Sequence, residues 1–137
     1  MNWLLIARII FALLFVIVTY LTLTPNPDDT KSGMAITRWL AVLLLGQEDL
    51  GDKVAHFAAY GALGTFAVLS RIRFFGATLF TILALAIYGA CLEGLQGLAA
   101  VRTPELADAV ANALGAIGGW PVGAIFLWLI AKWRAPR

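Results

Sequence analysis

Apolar residues run almost unbroken through four stretches of this chain, Trp3 to Leu23, Val54 to Ser70, Phe74 to Ala99 and Asp108 to Ala131, with polar residues gathered around their ends. Crossing the hydrocarbon of a bilayer takes about 20 residues of helix, so the second stretch is near the lower limit. Lipid offers no hydrogen bonds to the backbone, and the alternation of a barrel strand is absent, so helix is the form these stretches predict. The pattern therefore predicts an all-α polytopic membrane protein. A four-transmembrane-helix bundle is expected, with spans at about 3–23, 54–70, 74–99 and 108–131 in one domain over residues 1–137.

A shorter apolar segment, "MAITRWLAVLLL", lies in the loop from Thr24 to Lys53, after the two prolines of "TPNPDD" have ended the first helix. Twelve residues cannot span. A short interfacial or re-entrant helix held by Arg38 and Trp39 is expected, with a lid formed by residues 33–46 over a site below it as the functional alternative. The first stretch is longer than the apolar core of a secretory signal and no small-residue cleavage pattern follows it, so a retained helix is expected.

Composition agrees with the pattern. The chain is 61% hydrophobic and 13% charged, with a mean hydropathy of +0.87, which is membrane composition. Cys91 is the sole cysteine, which excludes an internal disulfide, and its apolar surroundings predict a packing role.

Charge adds an orientation. Arg8, Arg71, Arg73, Lys132, Arg134 and Arg137 fall on one side of the spans, without an acidic residue among them. The other side takes Lys31, Arg38, Lys53 and Arg102 together with all eight acidic residues. Basic residues flank the cytoplasmic face, so an inner (cytoplasmic) membrane location with both termini in the cytoplasm is predicted. Trp3, Trp128 and Trp133 lie where an aromatic belt would sit on that side, and Trp39 on the other. The basic residues serve as membrane anchors, so nucleic acid is not an expected partner; membrane lipid is.

Small residues mark where helices approach. Gly61 and Gly64, then Gly89, Gly94 and Gly97, then Gly115, Gly119 and Gly123 give packing faces on the second, third and fourth spans. Pro121 is expected to bend the fourth.

The candidate chemistry lies at the acidic side. Asp52, His56 and Tyr60 are spaced i, i+4, i+8 and share one helix face, beside Lys53. Glu93 and Gln96 are one turn apart near the end of the third span, with Glu93 ~9 Å below that end at the helical rise. Asp108 and Asn112 are i, i+4 at the start of the fourth, and Arg102 and Glu105 occupy the loop between. An ionisable group facing lipid costs about 2.5 to 3.5 kcal/mol on insertion scales, so Glu93 is expected to face the bundle. Three helices should bring these groups together at one membrane depth. As interhelical glue they would be costly, because a polar contact between membrane helices is worth only about 0.6 kcal/mol on average.

The stretches "DKVAHFAAYGALG" and "LEGLQGLAAVRTPELADAVANALGAIGG" resemble the VanZ-like family of small integral membrane proteins. The matching positions are Asp52, Lys53, His56, Tyr60, Glu93, Gln96, Arg102, Asp108, Asn112 and Gly115, over roughly Gly51 to Gly119. The family's founding member is linked to resistance to the glycopeptide teicoplanin. The resemblance implies a small membrane protein acting at the cell envelope, with a lipid-linked cell-wall precursor or a glycopeptide as candidate partner; it supplies no reaction.

Two functions follow as expectations. In the first, a polar pocket on the extracytoplasmic side, made by Asp52, Lys53, His56, Tyr60, Glu93, Gln96, Arg102, Asp108 and Asn112, binds or modulates an envelope ligand. In the second, the protein is a membrane enzyme acting on a lipid-linked or phosphate-bearing substrate, with His56 or Glu93 as acid or base and Arg102 with Lys53 holding an anion. No cofactor and no metal is expected, since one His beside carboxylates falls short of a structural zinc set.

Overall fold

The computed structural model describes residues 2–24, 28–98 and 104–134, with the backbone alone for 28–33. The described residues form five helices: α1 (Trp3–Leu23), α2 (Asp28–Leu45), α3 (Gly51–Leu69), α4 (Thr78–Leu98) and α5 (Leu106–Arg134), with a short 3-10 turn, Glu48–Leu50, leading into α3. No strand occurs among them beyond one isolated bridge, Phe74 to Ala77. Arg102 and Arg137 lie outside the described residues.

The helix ends have local causes. Asn2 caps α1 by accepting the N–H of Leu4 on its side-chain oxygen at 3.2 Å. Gly46, with φ +71°, turns the chain out of α2 in the left-handed conformation that glycine adopts without strain. The third apolar stretch was expected to be helical from Phe74, but Phe74–Ala77 form a tight turn with positive φ at Phe75 and Gly76, and α4 begins at Thr78. Thr81 holds that turn: its hydroxyl donates to Ile72 O and accepts from the N–H of Phe74, both at 3.0 Å. α2 also begins earlier than the apolar run Met34–Leu45, giving 18 residues rather than twelve.

Three helices, α1, α4 and α5, are long and apolar enough to cross a membrane. α3, expected as a fourth span, is not among them. Its 19 residues carry Asp52, Lys53, His56 and Tyr60, and it contacts all four other helices, so protein covers the polar residues that lower its hydropathy.

α3 and α5 pack backbone to backbone. A side chain on Gly115 would overlap Phe57 O, one on Gly119 would overlap Gly61 O, and one on Gly64 would overlap Ala116 O. The i, i+4, i+8 series Gly115, Gly119, Gly123 thus forms a groove that accepts α3, and the Thr65 hydroxyl crosses it to donate to Gly119 O at 3.1 Å. Gly94, expected on a packing face, meets nothing within 4 Å. α5 continues through Pro121 to Arg134.

The buried core is Val18, Tyr60, Leu63, Ala67, Ile82, Leu85 and Ala116. Outside it the apolar pattern is inverted: Leu13, Val16, Ile87, Ile125, Phe126 and Leu129 all face outward. Exposed apolar surface on that scale marks contact with lipid or protein. Cys91 belongs to this outer surface and not to the packed interior expected for it.

The two ends differ in charge. Trp3 lies beneath the guanidiniums of both Arg71 and Arg134, at 5.6 and 5.8 Å from its ring centre, and Arg8 donates to Ser70 O at 3.4 Å. These contacts gather the start of α1, the α3–α4 turn and the end of α5 into one basic end. Asp52, Lys53, Glu105 and Asp108 meet at the opposite end.

Candidate functional site

At the acidic end α3, α4 and α5 each contribute polar side chains. α3 enters from the 3-10 turn close under α2: a side chain on Gly51 would sit 2.5 Å from Arg38 Cγ. This fixes the first turn of α3, where Asp52 and Lys53 stand. The Lys53 ammonium reaches three carboxylates, Asp52 on α3 at 2.7 Å, Glu105 just before α5 at 2.5 Å and Asp108 Oδ1 on α5 at 3.0 Å. Its three donors are therefore engaged within the protein.

This arrangement sets the protonation of the pair that precedes the apolar stretch of α3. Burial pushes the Asp52 carboxyl up, but the ammonium and backbone N–H of Lys53 outweigh it and hold the group below its ordinary value. For Lys53, burial acts downward and is outweighed by the hydrogen bonds its ammonium donates to Asp52, Glu105 and Asp108, so the ammonium is raised well above the usual lysine range. Both groups are charged near neutrality.

One turn deeper, His56 joins the three helices. Its Nδ1 lies 2.9 Å from Asn112 Oδ1 and 3.7 Å from Glu93 Oε1, and its Nε2 lies 3.9 Å from Asp108 Oδ2. Glu93, Asp108 and Asn112 are buried. When Nδ1 carries the proton it donates to Asn112 Oδ1, which leaves the Nε2 lone pair directed toward Asp108. Asp108 links the layers, with Oδ1 on Lys53 and Oδ2 toward His56.

Space for this meeting comes from Gly89 on α4. A side chain there would lie 2.9 Å from Asn112 Cβ and 3.0 Å from Tyr60 Cε1. Tyr60 is 1% exposed, and neither its hydroxyl nor Asn112 Nδ2 has a hydrogen-bond partner among the described residues. Buried polar atoms left in this state are uncommon.

Of the nine residues expected to form the site, the structure brings Asp52, Lys53, His56, Glu93, Asp108 and Asn112 into one connected cluster, with Glu105 added. Tyr60 adjoins it beside Asn112. Gln96 is directed elsewhere: its amide donates to Thr22 O and ties α4 to α1. Arg102 lies outside the described residues. Two residues gain a role that sequence reasoning missed. Gly89 had been expected only as a packing glycine, and Thr22 contributes a backbone carbonyl, which no side-chain pattern reveals.

Two groups of side chains in the cluster have metal-binding geometry, His56 with Glu93 and Asp108, and Asp52 with Glu105 and Asp108; in each, one ligand atom per residue lies within 4.8 Å of the others. In the second group the Lys53 ammonium already serves as the cation shared by all three carboxylates. No family model, curated protein or solved structure matches this chain.

Proposed function

We propose that this chain is an integral membrane protein of the cell envelope, VanZ-like in character, whose polar cluster binds or modulates an envelope ligand. α1, α3, α4 and α5 cross the bilayer in this reading and α2 lies along its surface. The basic end faces the cytoplasm and the cluster lies below the outer headgroups. The ligand is a lipid headgroup or a lipid-linked cell-wall precursor.

One observation carries the reading: His56 on α3 stands within 4 Å of Glu93 on α4 and of Asp108 and Asn112 on α5. So many acids, bases and amides are a poor means of holding helices together when each contact contributes only about 0.6 kcal/mol. The role assigned to Lys53 changes accordingly. With three carboxylates on its ammonium it orders the mouth of the cluster and has no donor to spare for an anionic ligand.

The second reading is acid–base catalysis on a phosphate-bearing lipid. The 3.7 Å approach of Glu93 to His56 favours it, because it sets a carboxyl and an imidazole side by side, two side chains that carry general acid–base steps.

The test is binding of phosphatidylglycerol, phosphatidylethanolamine and a polyprenyl phosphate to the purified full chain by native mass spectrometry. Saturable binding of one of them is expected, weakened about tenfold by His56→Ala with helix content unchanged. Equal, non-saturable retention of all three by wild type and variant would refute ligand recognition. Turnover of the bound lipid, lost in Glu93→Gln, would select the catalytic reading.

A further inference from the structure

We propose that His56, Glu93 and Asp108 bind one divalent transition-metal ion of the zinc or manganese class. The inference rests on reading the cluster as a ligand site, and the donor set carries it further. One imidazole nitrogen and two carboxylate oxygens from three different helices lie within 4.8 Å of one another. Zinc is held by such atoms at about 2.0–2.2 Å, so small side-chain rotations close the ligands around an ion. Nitrogen with carboxylate oxygen suits zinc, manganese or iron better than calcium or magnesium.

The surroundings have the form of an outer ligand shell. Asn112 Oδ1, at 2.9 Å from His56 Nδ1, holds the imidazole in place between Glu93 and Asp108. Lys53 Nζ, at 3.0 Å from Asp108 Oδ1, leaves Oδ2 turned toward the imidazole.

Tyr60 supplies an independent observation. Its hydroxyl is buried and has no hydrogen-bond partner among the described residues. It lies one turn beyond His56 on α3. Its ring converges with the Asn112 amide over Gly89. An ion with three protein ligands keeps water or substrate at its remaining positions, and such a water gives the Tyr60 hydroxyl the partner it lacks.

His56 is the single histidine of the chain, which makes the test specific. The full chain, carrying a histidine-free affinity tag, is reconstituted in phosphatidylcholine nanodiscs, stripped with chelator and titrated with manganese chloride or zinc sulfate. One ion per chain is expected, and pulsed electron paramagnetic resonance of the manganese form should show coupling to one imidazole nitrogen. Glu93→Gln and Asp108→Asn should weaken binding about tenfold or more, whereas Asp49→Asn, at an exposed carboxylate outside the cluster, should leave it unchanged. Absence of saturable binding, manganese without nitrogen coupling, or equal loss in Asp49→Asn overturns the proposal. The nitrogen coupling is read on the wild type, so a variant that fails to fold does not disable the test. Ion uptake without lipid binding would remove the proposed function and leave the metal site standing; lipid binding by a chain that takes up no ion would do the reverse.

Discussion

Nδ1 of His56 lies 2.9 Å from Oδ1 of Asn112, joining α3 to α5 at the level where Glu93 enters from α4. The pair is 56 residues apart in sequence, and it is close only because glycine brings the two helix backbones into contact just below it.

The pair should be energetically coupled. Single and double substitutions, His56→Ala and Asn112→Ala, are expected to give a coupling energy of about 0.6 kcal/mol and no more than about 1.7 kcal/mol, the range for polar contacts between membrane helices. Reversible unfolding in mixed micelles measures it, and strict additivity would contradict the contact.

The α3–α5 groove makes glycine substitutions differ by position. Gly119→Ala places a methyl group against Gly61 O, and a rigid backbone cannot yield as a side-chain tip would. A loss of about 1–3 kcal/mol is expected. Gly94→Ala, with nothing within 4 Å, should leave stability unchanged or raised, because alanine is the better helix former. Thermal unfolding of the two variants side by side checks the contrast.

The Lys53 cluster predicts a sign for pH dependence. Asp52 is lowered from its ordinary 3.8, so its contribution is present above that value and lost as pH falls below it. Lys53 is raised from 10.5, so its contribution is complete below that value and is lost only as pH rises beyond it. Melting temperatures between pH 5 and 9 should therefore be insensitive to this pair. In Lys53→Met the carboxylates lose their shared cation and repel one another, so stability should decline as pH rises through the carboxylate range.

Cys91 tests the membrane reading directly. It is exposed on the outward face of α4, so a membrane-impermeant maleimide should fail to label it in intact vesicles and succeed after detergent is added. In a Cys91→Ala background, Gln47→Cys and Phe75→Cys should be labelled from opposite sides. Labelling from the same side would refute the orientation.

By itself the sequence determined the polar inventory and the helical character of the apolar stretches, though not where α2 and α4 begin. Runs of apolar residues leave the backbone no partner but itself, and charge segregation separated the basic end around Arg71 and Arg134 from the acidic end around Lys53. It also placed His56, Glu93 and Asn112 on faces that could meet, since i, i+3 and i, i+4 spacing is a property of the helix alone. Tertiary structure decided which of these groups touch. Gln96 shares a helix face with Glu93 yet bonds to Thr22 O on α1, because the rotation of α4 against its neighbours assigns each residue its partner. Lys53 was expected to hold an anion and instead holds three carboxylates, since Glu105 and Asp108 reach it only when α5 docks on α3. Spacing along a chain fixes direction on one helix; distance between helices is fixed by close packing, here by where glycine allows backbones to meet.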